Sequence, residues 1–162
     1  MQSLEAWLPL CQLVHVTGSL DEAPAQARRA ELPPEWQARY HVFAYLHEEM
    51  VTALLAADLV ISRAGASVLG EFPAAALPAI LVPYPYAGAH QWRNADYLVQ
   101  HGAAVAIDDA DLDKSLKETV IDLFTNQEKL LAMRQAGQKL ARPEAALRLA
   151  EAIVEVKSYG ST

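Results

Sequence analysis

The chain has 162 residues, with 13 Lys and Arg against 20 Asp and Glu for a formal charge of −7. That balance excludes a nucleic-acid binder held by bulk positive charge. At 52% apolar and 20% charged residues the chain is too hydrophobic for disorder and long enough for one domain that buries roughly 70% of its unfolded surface. The single cysteine, Cys11, rules out an internal disulfide and a multi-thiolate metal site and fits a reducing compartment.

Residues 1–10 lack the basic region, long apolar run and small-residue cleavage site of a secretory signal and read as a helix. The apolar stretch from Val51 to Ile61 is broken by Thr52 and Asp58 and falls far short of the roughly 20 residues that span a bilayer. Cys11 begins a strand as a small buried hydrophobe. Leu13 to Val16 form that strand, stopping at Thr17-Gly18, and Asp21 to Ala30 read as an exposed helix with Pro24 in its first turn. A loop carries Pro33 and Pro34, and the alternation from Arg39 to Tyr45 predicts a second strand. Glu48 to Ala57 is a helix with Val51, Leu54 and Leu55 on one face.

A third strand, Asp58 to Ile61, leads through Ser62 to Ser67 into a helix ending near Ala76. Ala79 to Val82 is a fourth strand, closed by Pro83 and Pro85, and the loop from Tyr84 to Ala89 enters a helix over Gln91 to Gln100. Gly102 stops that helix before a fifth strand, Ala103 to Ile107. Asp111 is placed to cap a helix in which Leu112, Leu116, Val120 and Leu123 recur at helical spacing. Helices over Glu128 to Leu140 and Pro143 to Val156 follow, the last with an apolar stripe of Ala146, Leu147, Ala150, Ile153 and Val154. Strands alternating with helices give an α/β, Rossmann-like parallel sheet with helices on both faces. Ligands of such sheets bind outside the carboxyl ends of the strands.

Three of those loops carry candidate binding residues, the first of them Tyr45-Leu46-His47. Arg63, Gly65, Ala66 and Ser67 sit at a strand-to-helix turn where small side chains let a ligand approach free backbone N–H groups, although small residues there equally serve helix–sheet packing. Glu71 lies inside the following helix, well beyond its first turn, among the apolar residues Leu69, Phe72, Ala74 and Ala75. It is either a solvated surface residue or a carboxylate that accepts hydrogen bonds from a vicinal diol such as a ribose. His90 and Asn94 share a helix face one turn apart, with Gln91 beside them. No third metal ligand accompanies them, and such neutral donor–acceptor groups suit sugar hydroxyls better than a metal. His15, His41 and His101 read as structural. G-x-G-x-x-G, G-x-x-x-x-G-K-S/T and G-x-S-x-G are all absent, which argues against the common dinucleotide, P-loop and hydrolase sites.

Taken in order, Tyr45-Leu46-His47, the run from Ala57 to Ser67, Glu71, the run from Leu77 to Pro83, His90-Gln91, Asn94-Ala95 and Gly102-Ala103-Ala104 resemble the C-terminal half of the MurG family. These are glycosyltransferase family 28 enzymes, bacterial UDP-N-acetylglucosamine:undecaprenyl-pyrophosphoryl-muramoyl-pentapeptide N-acetylglucosaminyltransferases that make lipid II. The resemblance runs from about Leu10 to Val156. It implies the donor-binding half of a two-domain GT-B fold, lacking its first strand, and an inverting transfer without cofactor or metal. Carried over by position, the backbone at Leu46 would meet the uracil, Glu71 the ribose hydroxyls, and the helix start at Gly65, Ala66 and Ser67, with Arg63, the diphosphate and sugar. Gln91 and Asn94, with His90 near them, would read the hydroxyls of N-acetylglucosamine.

The resemblance also implies that a first strand with a Gly-Gly-Ser type loop lies outside this sequence. So does the N-terminal domain that binds the lipid-linked acceptor and supplies the general base, leaving the fragment inactive alone. Val68 stands where a hydroxyl residue is common in the family and Gly70 where Ser or Ala is common, and the stretch from Tyr45 to Asp58 is one residue longer. The implied location is cytoplasmic, with peripheral association at the inner membrane face. Other readings are a different UDP-sugar GT-B enzyme, a UDP-N-acetylglucosamine 2-epimerase, for which no second carboxylate stands near Glu71, and a noncatalytic nucleotide- or partner-binding module that self-associates through exposed strand edges.

Overall fold

The computed structural model describes residues 4–86 and 90–159, with side chains described as far as residue 156. The first three residues of the expected N-terminal helix, and the end of the expected loop from Tyr84 to Ala89, lie outside the described residues. In chain order the elements are α1 (Leu4–Trp7), β1 (Leu13–Val16), α2 (Glu22–Ala30), α3 (Pro34–Gln37), β2 (Tyr40–Phe43), α4 (Met50–Ala56), β3 (Val60–Ser62), α5 (Val68–Ala74) and β4 (Ala79–Leu81). There follow α6 (His90–Gln100), β5 (Ala104–Ala106), a 3-10 turn (Asp109–Asp111), α7 (Leu112–Thr125), α8 (Gln127–Leu140) and α9 (Ala145–Tyr159). The short helix α3 stands where a loop is expected, started by Pro34, whose missing N–H costs nothing at a first helical position.

All strand pairs are parallel, but they form two sheets, β1–β2 and β3–β4–β5, where the sequence predicts one. The three-stranded sheet is covered on both faces, as a parallel sheet requires. Strand alternation sends Ala79 and Leu81 of β4 into a cluster with Ala64, Val68, Phe72, Ala95 and Leu98, and sends Ile80 the other way, among Trp7, Val120, Leu123, Leu130 and Met133. Leu13 of β1 packs against this second cluster and also against a third, with Leu4, Leu8, Ala25, Tyr40 and Val42, so one side chain joins the two sheets' cores.

The β1–β2 sheet is covered on one face only. Tyr40 and Val42 are buried, whereas Val14, Val16 and Phe43, on the opposite face by the register, are exposed. Val51 and Leu55 of α4 are exposed too, and of its expected apolar face only Leu54 reaches the core. The stripe of α9 is likewise uncovered, with Leu147, Ile153 and Val154 all at least 60% exposed. The accessible surface of the chain is 10421 Å², against roughly 7,900 Å² for a compact monomer of this mass. The chain therefore buries about 60% of its unfolded surface rather than the expected 70%.

Local chemistry moves several boundaries. Cys11 precedes β1 instead of beginning it, its thiol donating to the Trp7 carbonyl at 3.4 Å, and burial pushes its pKa up. Residues 47–49 form a turn, so α4 starts at Met50. Helix α5 stops at Ala74, where Ala76 takes a left-handed φ of 50° and the Leu77 N–H donates back to the Phe72 carbonyl at 2.9 Å. Gly102, at φ 76°, ends α6 as its lack of a Cβ allows. Asp111 makes no side-chain cap of α7. It pairs with Lys114, while Asp108 caps the 3-10 turn through the Ala110 N–H. Asn126 caps α8 through the Lys129 N–H.

The histidines read as structural each have a partner. His15 Nδ1 meets the Tyr40 hydroxyl at 2.8 Å, His41 the Gln12 amide oxygen at 3.2 Å, and His101 donates to the Tyr97 carbonyl at 2.7 Å.

Two expectations follow. Ile80→Ala destabilises by about 2–5 kcal/mol, whereas Ile153→Ala stays within about 0.5 kcal/mol, as urea midpoints of the two variants will show. Burial is the largest cause of a lowered His15 pKa, so the unfolded chain binds the proton more readily. Stability is then independent of this group above its ordinary value of about 6.5 and falls as pH drops below it. The non-titrating variant His15→Gln will show a flatter decline in stability between pH 7 and 5.5.

Candidate functional site

Register places the carboxyl ends of β3, β4 and β5 side by side, with Ser62, Leu81 and Ala106 as neighbours. The chain leaves β3 through Arg63 and Ala64, and these two residues tie the neighbouring loops together. Arg63 donates to the Val82 carbonyl at 3.3 Å, pairs with Asp109 at 2.5 Å and lies 5.2 Å from the Tyr84 ring centroid. One guanidinium nitrogen, Nη1, thus binds the loops after β4 and β5 together.

Ala64 is fully buried and held on both sides of its backbone. Its N–H donates to Gln91 Oε1 at 3.2 Å, and its carbonyl accepts from Asn94 Nδ2 at 2.9 Å. The same Gln91 oxygen accepts from the Tyr84 N–H at 2.8 Å. Helical spacing brings Gln91 and Asn94 to the two peptide groups on either side of the Ala64 Cα from adjacent turns of α6.

Beyond Ala64, the N–H groups of Gly65, Ala66 and Ser67 donate to nothing among the described residues. Ser67 makes no side-chain cap of α5. A Cβ built on Gly65 would meet nothing within 4 Å, so the space beside this turn is open and the free donors can be reached from it. Glu71 follows in the first turn of α5, not well beyond it as the sequence suggests, because residues 64–67 remain loop. Its carboxylate is exposed and makes no hydrogen bond or ion pair among the described residues. The local field of a helix start favours an anion there.

Leu46 lies in the loop after β2 with its side chain buried, while its backbone N–H and carbonyl make no hydrogen bond among the described residues. The rings of Tyr45 and His47 flank it, 5.9 Å apart. His90 is the exposed first residue of α6.

The structure thus gathers Arg63, Ala64, Gln91 and Asn94 into one hydrogen-bonded cluster. No described hydrogen bond or ion pair joins Leu46, Glu71 or His90 to it. Tyr84 and Asp109 belong to the cluster and escape a reading of sequence alone. The available signals are an aromatic between two prolines after β4 and an acidic pair immediately after β5. Among the described residues no three His, Cys, Asp or Glu gather as a metal site. A notch of about 440 Å³ at the junction of α8 and α9, lined by residues such as Arg142 and Arg148, shares no residue with the cluster.

Comparison with known proteins agrees with this architecture. The profile of the glycosyltransferase family 28 C-terminal domain matches residues 1–149. A UDP-N-acetylglucosamine--N-acetylmuramyl-(pentapeptide) pyrophosphoryl-undecaprenol N-acetylglucosamine transferase of Roseiflexus sp. is 43% identical, the match covering 91% of this chain and 38% of the relative. The protein of the same name from Desulforamulus reducens is 41% identical over 83% of this chain and 37% of its own length. The crystal structure of Acinetobacter baumannii MurG superposes with a TM-score of 0.75 at 28% identity, covering 89% of this chain and 41% of that one. A glycosyltransferase of kitacinnamycin, at 21% identity and a TM-score of 0.62, shares the fold. The chain spans about two fifths of the length of the curated relatives it matches, and it belongs to glycosyltransferase family 28, of which it carries the C-terminal domain.

Proposed function

We propose that this chain is the donor-binding half of an inverting glycosyltransferase that moves N-acetylglucosamine from UDP-N-acetylglucosamine to lipid I, forming lipid II. The observation that carries this reading is the open turn at Gly65, Ala66 and Ser67, with three free N–H donors, beside the amide pair Gln91 and Asn94. Free backbone donors suit a diphosphate and neutral amides suit sugar hydroxyls. The names of the 38–43% identical relatives support the same donor and acceptor.

In this reading the unpaired backbone of Leu46 meets the uracil edge, Glu71 accepts from the ribose hydroxyls, and Arg63 sets the loops around the sugar. The chemistry needs neither metal nor cofactor. A group transfer requires both substrates in register, so the acceptor and the general base belong to a companion domain. The surface in excess of a compact monomer is what such a domain would cover. Work at a membrane would run through that companion, at the cytoplasmic face. Among the described residues no helix is long and apolar enough to cross a bilayer.

Calorimetric titration with UDP-N-acetylglucosamine, UDP, UDP-glucose and ADP tests the donor reading. Uridine ligands bind in preference to ADP, and Glu71→Ala weakens them by about 1–3 kcal/mol, the cost of leaving polar partners unmade. Equal affinity for adenosine and uridine nucleotides, in a chain extended at its N-terminus by a Gly-Gly-Ser type loop of the kind the resemblance implies, overturns it. The exposed Val14, Val16 and Phe43 favour one other reading, a noncatalytic self-associating module. A homodimer in light scattering, without uridine nucleotide binding, would establish that instead.

A further inference from the structure

We infer that Gln91 and Asn94 are positioning residues, a two-point latch on the Ala64 peptide that holds the neighbouring turn open for a diphosphate. The ligand named here rests on the function proposed above. The orientation of both amides is forced by their partners. Two backbone N–H groups, of Ala64 and Tyr84, converge on one Gln91 atom, which must be its oxygen, because an amide nitrogen does not accept. Asn94 faces the Ala64 carbonyl and must present its nitrogen. Buried as it is, Ala64 leaves both its polar groups costly to abandon.

The latch has two consequences. Gly65, Ala66 and Ser67 follow directly from the clamped peptide, so the aim of their free N–H groups depends on it, and so does the Tyr84 loop across the opening. It also leaves each amide one half to offer: Gln91 Nε2, a donor, and Asn94 Oδ1, an acceptor, neither of them hydrogen-bonded among the described residues. A phosphate oxygen can satisfy the first and repels the second. A hydroxyl-bearing ring can satisfy both, which orders the ligand with its anionic part at the turn and its neutral part along α6.

The test separates a latch from simple sugar contacts. UDP lacks the N-acetylglucosamine that the two amides would otherwise contact, so only a latch predicts that Gln91→Ala weakens UDP binding, by about tenfold on the scale of a lost buried hydrogen bond, and speeds hydrogen exchange at the Ala64 and Tyr84 amides. Gln91→Glu keeps an accepting oxygen and restores slow exchange at both amides. Asn94→Asp adds the same charge nearby but removes the donor, and speeds exchange at Ala64. The inference is overturned if Gln91→Ala lowers affinity for UDP-N-acetylglucosamine but leaves that for UDP unchanged. It is equally overturned if Gln91→Glu exchanges like Gln91→Ala, or Asn94→Asp like the parent chain. Exchange is read without ligand, so a chain carrying the added N-terminal loop that shows the expected exchange pattern and binds no UDP refutes the proposed function while upholding the latch.

Discussion

Two-sided burial of β4 is the constraint on which the rest depends. All three of its residues are buried, with Ala79 and Leu81 facing one helical layer and Ile80 the other. A strand so enclosed cannot slip in register without turning its side chains to the wrong layer. Once β4 is fixed, the carboxyl ends of β3 and β5 are fixed beside it, and the loops that leave them have only a few ångströms in which to meet. Their polar backbone groups then need partners at close quarters, and Arg63, Gln91 and Asn94 supply them.

The cluster shows how residues proposed to bind a ligand can also be a folding device. Side chains that a sequence reading assigns to ligand also satisfy the backbone of a loop with no regular structure of its own. The loop is thereby rigid before any ligand arrives, which lowers the ordering cost of binding. Polar groups on the first two turns of a helix need not choose between scaffold and recognition when each amide has two ends.

Most of the fold is legible in the sequence because its signals are local. Strand-and-helix alternation, Pro83 after β4, Gly102 after α6 and the spacing of Val120 and Leu123 each report on a neighbourhood of a few residues. What escapes is set by distance along the chain. The Arg63–Asp109 pair spans 46 residues, and no pattern announces it. The exposure of Val51, Leu55 and the α9 stripe escapes for a different reason: periodicity shows that a face is apolar, not that anything covers it. Asp111 illustrates a third limit, since a capping residue type in the right place bonds elsewhere when Asp108 is available one turn earlier. For the candidate site, ordered motifs single out Gln91 and Asn94, which the structure brings to Ala64, and Leu46 and Glu71, which no described bond joins to them, whereas the backbone partners of the amides depend on three loops meeting.

Helix α9 separates two properties that usually travel together. Its fifteen residues are near the length at which an isolated helix is marginal in water, and its apolar side chains are already hydrated in the folded chain. Melting it exposes little new apolar surface, so it adds almost nothing to the heat capacity of unfolding. Its ellipticity is therefore lost gradually on heating, outside the cooperative transition of the sheet and its two covered faces.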